Sequence, residues 1–405
     1  MTEDLDIVVI GAGPAGAAAA TMLASAGREV TVFDRAVFPR EKCCGDGLTT
    51  LALRELERLG FDPRALKSWM AVDEVVVQGP RGREARFPLP SEAGLYAAVA
   101  RRADLDTALV GHARAAGAEI RENTGLMDAT AREDGVDLVV GDSQSVTART
   151  VIGADGMWSP LRKALGLSTE GYRGEWHAFR QYYRNVGPRA ASELVIWFEP
   201  DLLPGYAWSF PLSDGRANVG FGIRRGGQLG VGEMKQLWTD LLQRPHIRDL
   251  IGADAEPEAP HKAWPIPARV GRVPLHAPHT LFVGDAAAVT DPMTGEGIGQ
   301  ALLTGRLAAE AILAGSGDAT ADDAGARYES EVRRELVADD RMARLLVPLL
   351  TTPLALRGVL RLTGATPWTR RNFARWLFED YPRAMIATPR RWHRGMFTGP
   401  GAFAE

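Results

Sequence analysis

The chain has 405 residues, 45% of them hydrophobic and 24% charged, the balance of an ordinary globular protein and more length than one core usually organises, so about two domains are expected. A formal net charge of −4 gives no general attraction to nucleic acid, and no apolar run reaches the roughly 18 residues of a spanning helix. The cysteines Cys43 and Cys44 are adjacent and cannot staple a fold, and the N-terminus is acidic with no basic leader pattern, so a cytoplasmic, reducing setting is expected.

Residues 5–10 (LDIVVI) are a short apolar run suited to a buried parallel strand. Gly11-Ala12-Gly13-Pro14-Ala15-Gly16 follows, then an alanine-rich helix to about Ser25, stopped by Gly27. A second strand over 29–34 ends in Asp34, completing a βαβ unit. Gly11 permits the tight turn, Gly13 lets the backbone approach a pyrophosphate, and Gly16 lets helix and strand pack closely. The helix N-terminus offers unpaired N–H groups and its positive dipole end, and Asp34 can accept hydrogen bonds from a ribose diol. The unit predicts a bound dinucleotide without separating FAD from NAD.

Short strands are expected around 73–90, a helix over 96–117, and strands over 118–122, 136–140 and 146–153. The last of these leads into Gly153-Ala154-Asp155-Gly156, with Ser159 and Arg162 beyond. This places an acid at the carboxyl edge of a sheet, where open α/β folds bind ligands, although an ordinary Asp-Gly turn reads the same way. From 171 to 224 four runs alternate like antiparallel sheet (HAFRQYYRNV, SELVIWFE, YAWSFPL, RANVGFGI), and a helix is expected over 232–243. Residues 280–284 form another buried strand, ending in Gly284-Asp285. A loop with Asp291-Pro292 and Gly295-Glu296-Gly297-Ile298 then opens a helix over 296–314, whose first N–H groups can face a ligand. From about 327 to the end the chain reads as helical and rich in Arg, Leu and Trp. His112, His177, His246, His261, His276, His279 and His393 show no metal-ligand spacing, so no metal is expected.

The order GAGPAG, GADGxxSxxR, GDAA…P…GEGI resembles the FAD-dependent group of aromatic hydroxylases, squalene epoxidases, flavin-dependent halogenases and geranylgeranyl reductases, over residues 5 to about 315. The resemblance implies FAD as cofactor, held at Gly11, Gly13, Ala15, Gly16, Asp34 and Arg35. Further contacts are implied at Asp155 and Gly156, and at Gly284, Asp285, Pro292, Gly295, Glu296, Gly297 and Ile298. Arg102, in Arg102-x-x-Leu105-Asp106-x-x-Leu109, matches another flavin-contacting arginine of the group, with Arg101 beside it as a competitor.

Within the group, Pro39-Arg40-Glu41-Lys42-Cys43-Cys44-Gly45-Asp46-Gly47-Leu48 resembles the Pro-x-x-Lys-x-Cys-Gly-Asp-Gly stretch of geranylgeranyl reductases, which adds Cys44, Gly45 and Gly47 to the flavin site. Gly205-Tyr206-Ala207-Trp208-Ser209-Phe210-Pro211 resembles their Tyr-x-Trp-x-Phe-Pro strand. Halogenases tend to show Trp-x-Trp-x-Ile-Pro, from which Tyr206 and Phe210 depart. The implied activity is FAD-dependent saturation of a C=C bond in an isoprenoid chain, of geranylgeranyl or menaquinone type, with NAD(P)H or a ferredoxin-like protein as electron donor. A monooxygenase or halogenase acting on an aromatic or natural-product substrate shares all three flavin motifs and is the alternative. A non-enzymatic flavin redox sensor is a third reading.

Saturating an unactivated alkene needs a hydride on one carbon and a proton on the other, and a developing tertiary cation is stabilised by aromatic faces. Tyr206, Trp208 and Phe210 alternate on a strand and share one face, either as the wall of a lipophilic substrate pocket or as inter-sheet core. Cys44 is a proton donor or a shaper of the flavin environment, its thiol being protonated below a pKa near 8.5; otherwise it is a small buried hydrophobe. Cys44, Tyr206 and Trp208 are therefore the candidate catalytic residues, and Glu296 reads equally as a helix N-terminal acid.

The expected architecture is α/β, a Rossmann-like FAD-binding domain (1–72, 96–170 and 275–326) with an inserted antiparallel-sheet substrate domain (73–95 and 171–274) and a helical C-terminal region (327–405). In that last region residues 341–362 are apolar with interspersed arginines, broken at Pro348 and Pro353, and Trp368, Arg370, Arg371, Trp376, Trp392 and Phe397 follow. Basic and aromatic residues around apolar turns suit a peripheral membrane contact and equally a helical cap on the substrate domain.

Overall fold

The computed structural model describes residues 2–80, 82–90, 93–227, 230–315, 321–392 and 396–404; His393 lies outside them. An eight-stranded sheet carries the dinucleotide motifs. Its main path runs His276–Ala277, Thr280–Phe282, Gln144–Gly153, Glu3–Ile10, Val30–Phe33, Glu119–Arg121, and a hairpin of Leu126–Ala131 with Val136–Val140 flanks the long strand. The four central strands are parallel, and Ile7–Ile10 and Val30–Phe33 are buried, as strands covered on both faces must be. Each fully buried Val, Ile or Phe contributes roughly 1.5–3 kcal/mol. The helices Pro14–Ser25 and Ile298–Leu313 pack on each other, the first through a run of alanines small enough to admit its neighbour closely.

A second eight-stranded sheet runs Glu256–Pro257, Trp176–Arg184, Arg216–Arg224, Tyr206–Leu212, Leu194–Trp197, Glu74–Gln78, Glu84–Pro88, with Lys262–Ile266 also paired to Trp176–Arg184. It is antiparallel except where Leu194–Trp197 meets Glu74–Gln78. Residues far apart in sequence thus build this sheet, and the chain returns to the first sheet on either side of it. A small sheet of Gly47–Thr49, Ala97–Val99 and Met70–Ala71 lies on the path between them.

Some expected elements change. The segment expected to be helical from 96 is a strand over Ala97–Val99, paired to Gly47–Thr49, and the helix begins only at Arg102. The reason is that the Asp46 carboxylate accepts the Arg102 N–H at 3.3 Å and the Asp46 carbonyl accepts the Ala100 N–H at 3.0 Å, which holds the chain extended until that point. The helix Thr50–Arg58, the strand Lys262–Ile266 and the helix Pro245–Ile251 were not among the expected elements. The C-terminal helices are Ala321–Val332, Ala338–Leu346, Pro353–Thr363 and Pro367–Leu377, with one π turn at Arg333–Val337. Beyond Leu377 the expected helical character ends, and the described residues form only 3-10 turns and a bridge from Ala402 to Leu95, because Pro382, Pro389 and Gly399-Pro400-Gly401 interrupt the segment. No single helix among the described residues is long and apolar enough to cross a membrane.

Candidate active site

Strand register brings the three motifs together. Ile10 lies beside Phe33 on one side and Gly153 on the other, and Gly153 lies beside Phe282. The four strands therefore end in a row. Gly11, Asp34, Ala154-Asp155 and Val283-Gly284 follow them immediately, all at the carboxyl edge where ligands of open α/β sheets bind. A cleft of about 930 Å³ opens there.

Its lining suits a dinucleotide. Pro14–Ser25 and Ile298–Leu313 both start in the cleft wall, at Gly13 and Gly297, and neither N-terminus has a side-chain cap. Two sets of unpaired N–H groups thus face the same space, and a pyrophosphate or ring carbonyl would satisfy them. Gly11 holds φ at +102°, and a Cβ on Gly16 would stand 1.9 Å from the Gly11 carbonyl oxygen, so Gly16 sits at the helix–strand crossing and not on the cleft surface. Asp34 is 7% exposed and accepts Ala12 N–H at 2.7 Å and Ala36 N–H at 2.8 Å, fixing its carboxylate at the cleft end beside Arg35. Asp155 accepts Leu161 N–H at 2.9 Å through one oxygen, while the other is buried without a partner; burial pushes its carboxyl up to about 6. An orphaned acceptor in the cleft wall fits a hydroxyl-bearing ligand such as a ribityl chain.

The structure separates the two arginines. Arg102 is buried, pairs with Asp106 at 2.7 and 2.8 Å and lines the cleft. Arg101 turns away to Glu258 at 2.6 Å. Of the other expected cofactor residues, Ala15, Gly45, Gly47, Gly156, Gly284, Asp285, Gly295, Glu296 and Ile298 line the cleft, while Pro292 does not: its carbonyl accepts the Trp176 indole N–H at 3.0 Å.

The far wall of the cleft comes from the second sheet. Tyr206, Trp208 and Phe210 all line it, with successive ring centroids 5.9 and 6.1 Å apart. The Tyr206 hydroxyl donates to the Thr294 carbonyl, which ties this strand to the glycine loop. Room for the indole comes from Gly220 on the next strand, where a Cβ would stand 2.3 Å from Trp208 Cζ2. Trp208 donates to Asn218 at 3.2 Å, and Asn218 donates to the Cys44 carbonyl and to Asp46, each at 2.8 Å. Asp46 also accepts the Tyr182 hydroxyl at 2.6 Å. The cysteine loop is thereby locked to the aromatic strand. Cys44 is partly accessible from the cleft, and burial pushes its thiol above the ordinary value, so it is protonated and neutral at pH 7. Cys43 donates to the Lys262 carbonyl at 3.5 Å, and burial pushes its thiol up to about 12; both cysteines are free.

Sequence reasoning missed several residues here. Arg40 reaches within 3.5 Å of where a Cβ on Gly13 would stand and pairs with Asp106 at 3.1 Å. Lys42 lies 3.8 Å over the Trp264 ring, and Arg180 joins Glu41 at 3.0 Å. Arg40 and Lys42 sit inside the segment quoted for Cys44, so the signal was present. Glu379 and Arg383 near Glu296 gave none, being far downstream. Burial raises the Glu296 carboxyl to about 8, helped by the Glu379 charge and opposed by Arg383. Burial also raises Glu379, against Arg383.

Known proteins agree with this geometry. The FAD binding domain family matches residues 4–334. The chain is 34% identical to a menaquinone reductase of Mycolicibacterium smegmatis, over 91% of this chain and 90% of that one. It is 32% identical to digeranylgeranylglycerophospholipid reductase 1 of Methanopyrus kandleri, over 86% and 91%. A geranylgeranyl bacteriochlorophyll reductase-like protein from Thermoplasma acidophilum shares the fold, with a TM-score of 0.79 at 21% identity over 97% of this chain and 100% of that one. The chain belongs to the geranylgeranyl reductase family of FAD-dependent oxidoreductases.

Proposed function

We propose that this enzyme saturates a carbon–carbon double bond of an isoprenoid chain, of menaquinone or geranylgeranyl type. The observation that carries the reading is the aromatic wall of Tyr206, Trp208 and Phe210 on the same cleft as the dinucleotide motifs. Reduced FAD, when bound, supplies the hydride. The three rings exclude water and face the carbon that becomes positive, each stabilising it by about 0.5–2 kcal/mol. Tyr206 and Trp208 are held for this by Thr294 and Asn218. Cys44, neutral and soft, shapes the cleft beside the flavin. Electrons reach the flavin from NAD(P)H or a ferredoxin-like protein. We assign 73–95 and 171–274, whose strands supply the second large sheet, to the substrate side.

A lipid substrate also gives a role to the C-terminal helices. Leu345, Leu349, Leu354, Leu362 and Trp368 are exposed, and Arg341, Arg361 and Arg371 are exposed among them. Apolar side chains ringed by cations suit the surface of an anionic bilayer, and we assign a peripheral membrane contact to this face. The protein is expected to float with phosphatidylglycerol vesicles, and Leu354→Glu with Leu362→Glu to abolish flotation with FAD retained. Flotation unchanged in the double variant would assign the face to something other than lipid.

The test of the activity is anaerobic. The flavin is reduced chemically and mixed with menaquinone or a geranylgeranyl lipid. Reoxidation is expected without oxygen, with a product heavier by two hydrogens by mass spectrometry. A flavin that stays reduced until oxygen enters, followed by an oxygenated product, would establish the monooxygenase alternative instead.

A further inference from the structure

Two partly buried acids line adjoining cavities, the cleft and a second cavity of about 950 Å³, which share Thr290 in their linings. Glu296 lines the cleft. Its Oε1 lies 3.4 Å from where a Cβ on Gly47 would stand, and Phe210 Cε2 lies 3.4 Å from the same point, so carboxyl and aromatic wall meet over Gly47. Among the described residues no side chain or backbone group hydrogen-bonds the Glu296 carboxyl. Glu379 lines the second cavity and is held by Gln300 Nε2 at 2.6 Å, Thr49 Oγ1 at 3.0 Å and Arg383 at 3.5 Å. Arg383 also pairs with Asp291 at 2.8 Å. The charged and titratable groups that act on Glu296 from these neighbours are Glu379, Arg383 and Asp291, and Tyr206 and Cys44, which line the same cleft, feel its charge.

An isoprenoid chain filling the cleft excludes water from it, yet every alkene reduced consumes a proton at that point. We propose that Glu296 is the acid that protonates the alkene and that Glu379 hands it the next proton from the second cavity. The inference rests on the isoprenoid-reductase reading. The O–H bond of Glu296 breaks as a C–H bond forms at the less substituted alkene carbon, and the tertiary carbon takes the hydride. Glu296, left as carboxylate, takes a proton from Glu379, which is recharged by water in the second cavity. One alkene, one hydride and one proton give the saturated product, and no other co-reactant is consumed. Glu296 suits the task better than Cys44, because a carboxyl titrating near neutrality is a stronger donor than a thiol raised above its ordinary value. Since Glu296 is protonated below about 8, alkene reduction is fastest at low pH and falls as pH rises through that value.

The test uses FAD-loaded protein and two readouts. In single-turnover anaerobic mixing, Glu296→Gln is expected to keep FAD but to lose roughly 10²- to 10⁴-fold in reoxidation by the isoprenoid. Glu379→Gln is expected to keep the first turnover at low pH but to lose about tenfold in steady state. In infrared titration without substrate, a protonated-carboxyl component with a midpoint near 8 is expected and is lost in Glu296→Gln. In Glu379→Gln its midpoint moves to lower pH, because removing a like charge eases ionisation. Reoxidation in Glu296→Gln within about threefold of the parent protein, or a band unaltered by that substitution, would overturn the assignment of Glu296. A Glu379→Gln protein with unaltered steady state and midpoint would remove Glu379. A parent protein that reduces no isoprenoid would sink the reductase reading, and the infrared titration would still decide whether Glu296 holds the proton.

Discussion

Asp46→Ala is expected to lower the folding stability of the FAD-loaded protein by about 3–5 kcal/mol, because several buried donors lose their shared acceptor at once, at about 1–3 kcal/mol each. Asp46 is fully buried. It joins the Tyr182 hydroxyl, the Asn218 amide and the Arg102 N–H; burial pushes its carboxyl above the ordinary value, opposed by the Arg180 charge. Truncation leaves those donors unpaired in low dielectric, where each costs about 1–3 kcal/mol. Tyr182→Phe, which removes one hydroxyl and leaves Asp46 its other partners, is expected to cost only about 1 kcal/mol. Urea unfolding of the two variants measures both. The loss is large against a typical total of about 5–15 kcal/mol, and the Cys44 loop should lose its hold on the aromatic strand, so isoprenoid-driven reoxidation should fail with it. Equal midpoints for the two variants would show that Asp46 is not the hub of this network.

Gly16→Ala is expected to yield protein largely without FAD. The new Cβ would stand 1.9 Å from the Gly11 carbonyl oxygen and 3.1 Å from the Ala154 Cβ. The first obstacle is backbone, which cannot rotate away, so the helix must lift from the turn that cradles the phosphates. Overpacking costs about 1–3 kcal/mol; borne wholly by the cradle, that weakens FAD roughly 5- to 150-fold. Flavin absorbance per chain after gel filtration is the measurement. Gly111→Ala is the control, because nothing lies within 4 Å of a Cβ there, and it should retain FAD in full. Full retention by Gly16→Ala would mean that helix and strand approach less closely than the geometry requires.

What the sequence made legible was backbone-determined. The glycine turn, the acid at the end of the second strand and the Gly-Asp strand ends are features of local chain geometry, and each lies where its motif predicts. The period-two spacing of Tyr206, Trp208 and Phe210 gave their common face for the same reason. Ala97–Val99 was misread because alanine favours helices while pairing with Gly47–Thr49 decides otherwise. Asp46 stands in the cysteine segment with no sign of its role, because its partners Tyr182 and Asn218 belong to strands that reach it only through tertiary packing. The Glu296 environment was invisible for a similar reason: its shift needs Glu379 and Arg383, brought by the segment after the last α-helix, which carried no motif.

The row of strand ends has a consequence for biosynthesis. Gly11, Asp155, Gly284 and Gly297 line one cleft but leave the ribosome at widely separated times. Until Ile298 and its helix have emerged, a nascent chain has the phosphate turn without the opposite wall, and it cannot capture flavin at full affinity. Cofactor loading is therefore a late event, and it closes the fold as it occurs. Free FAD at a hundredfold excess over its dissociation constant would add about 2.7 kcal/mol to the finished protein. Cells short of riboflavin would hold a slack apoprotein open to proteolysis, so the abundance of this reductase should track flavin supply even where its transcript does not.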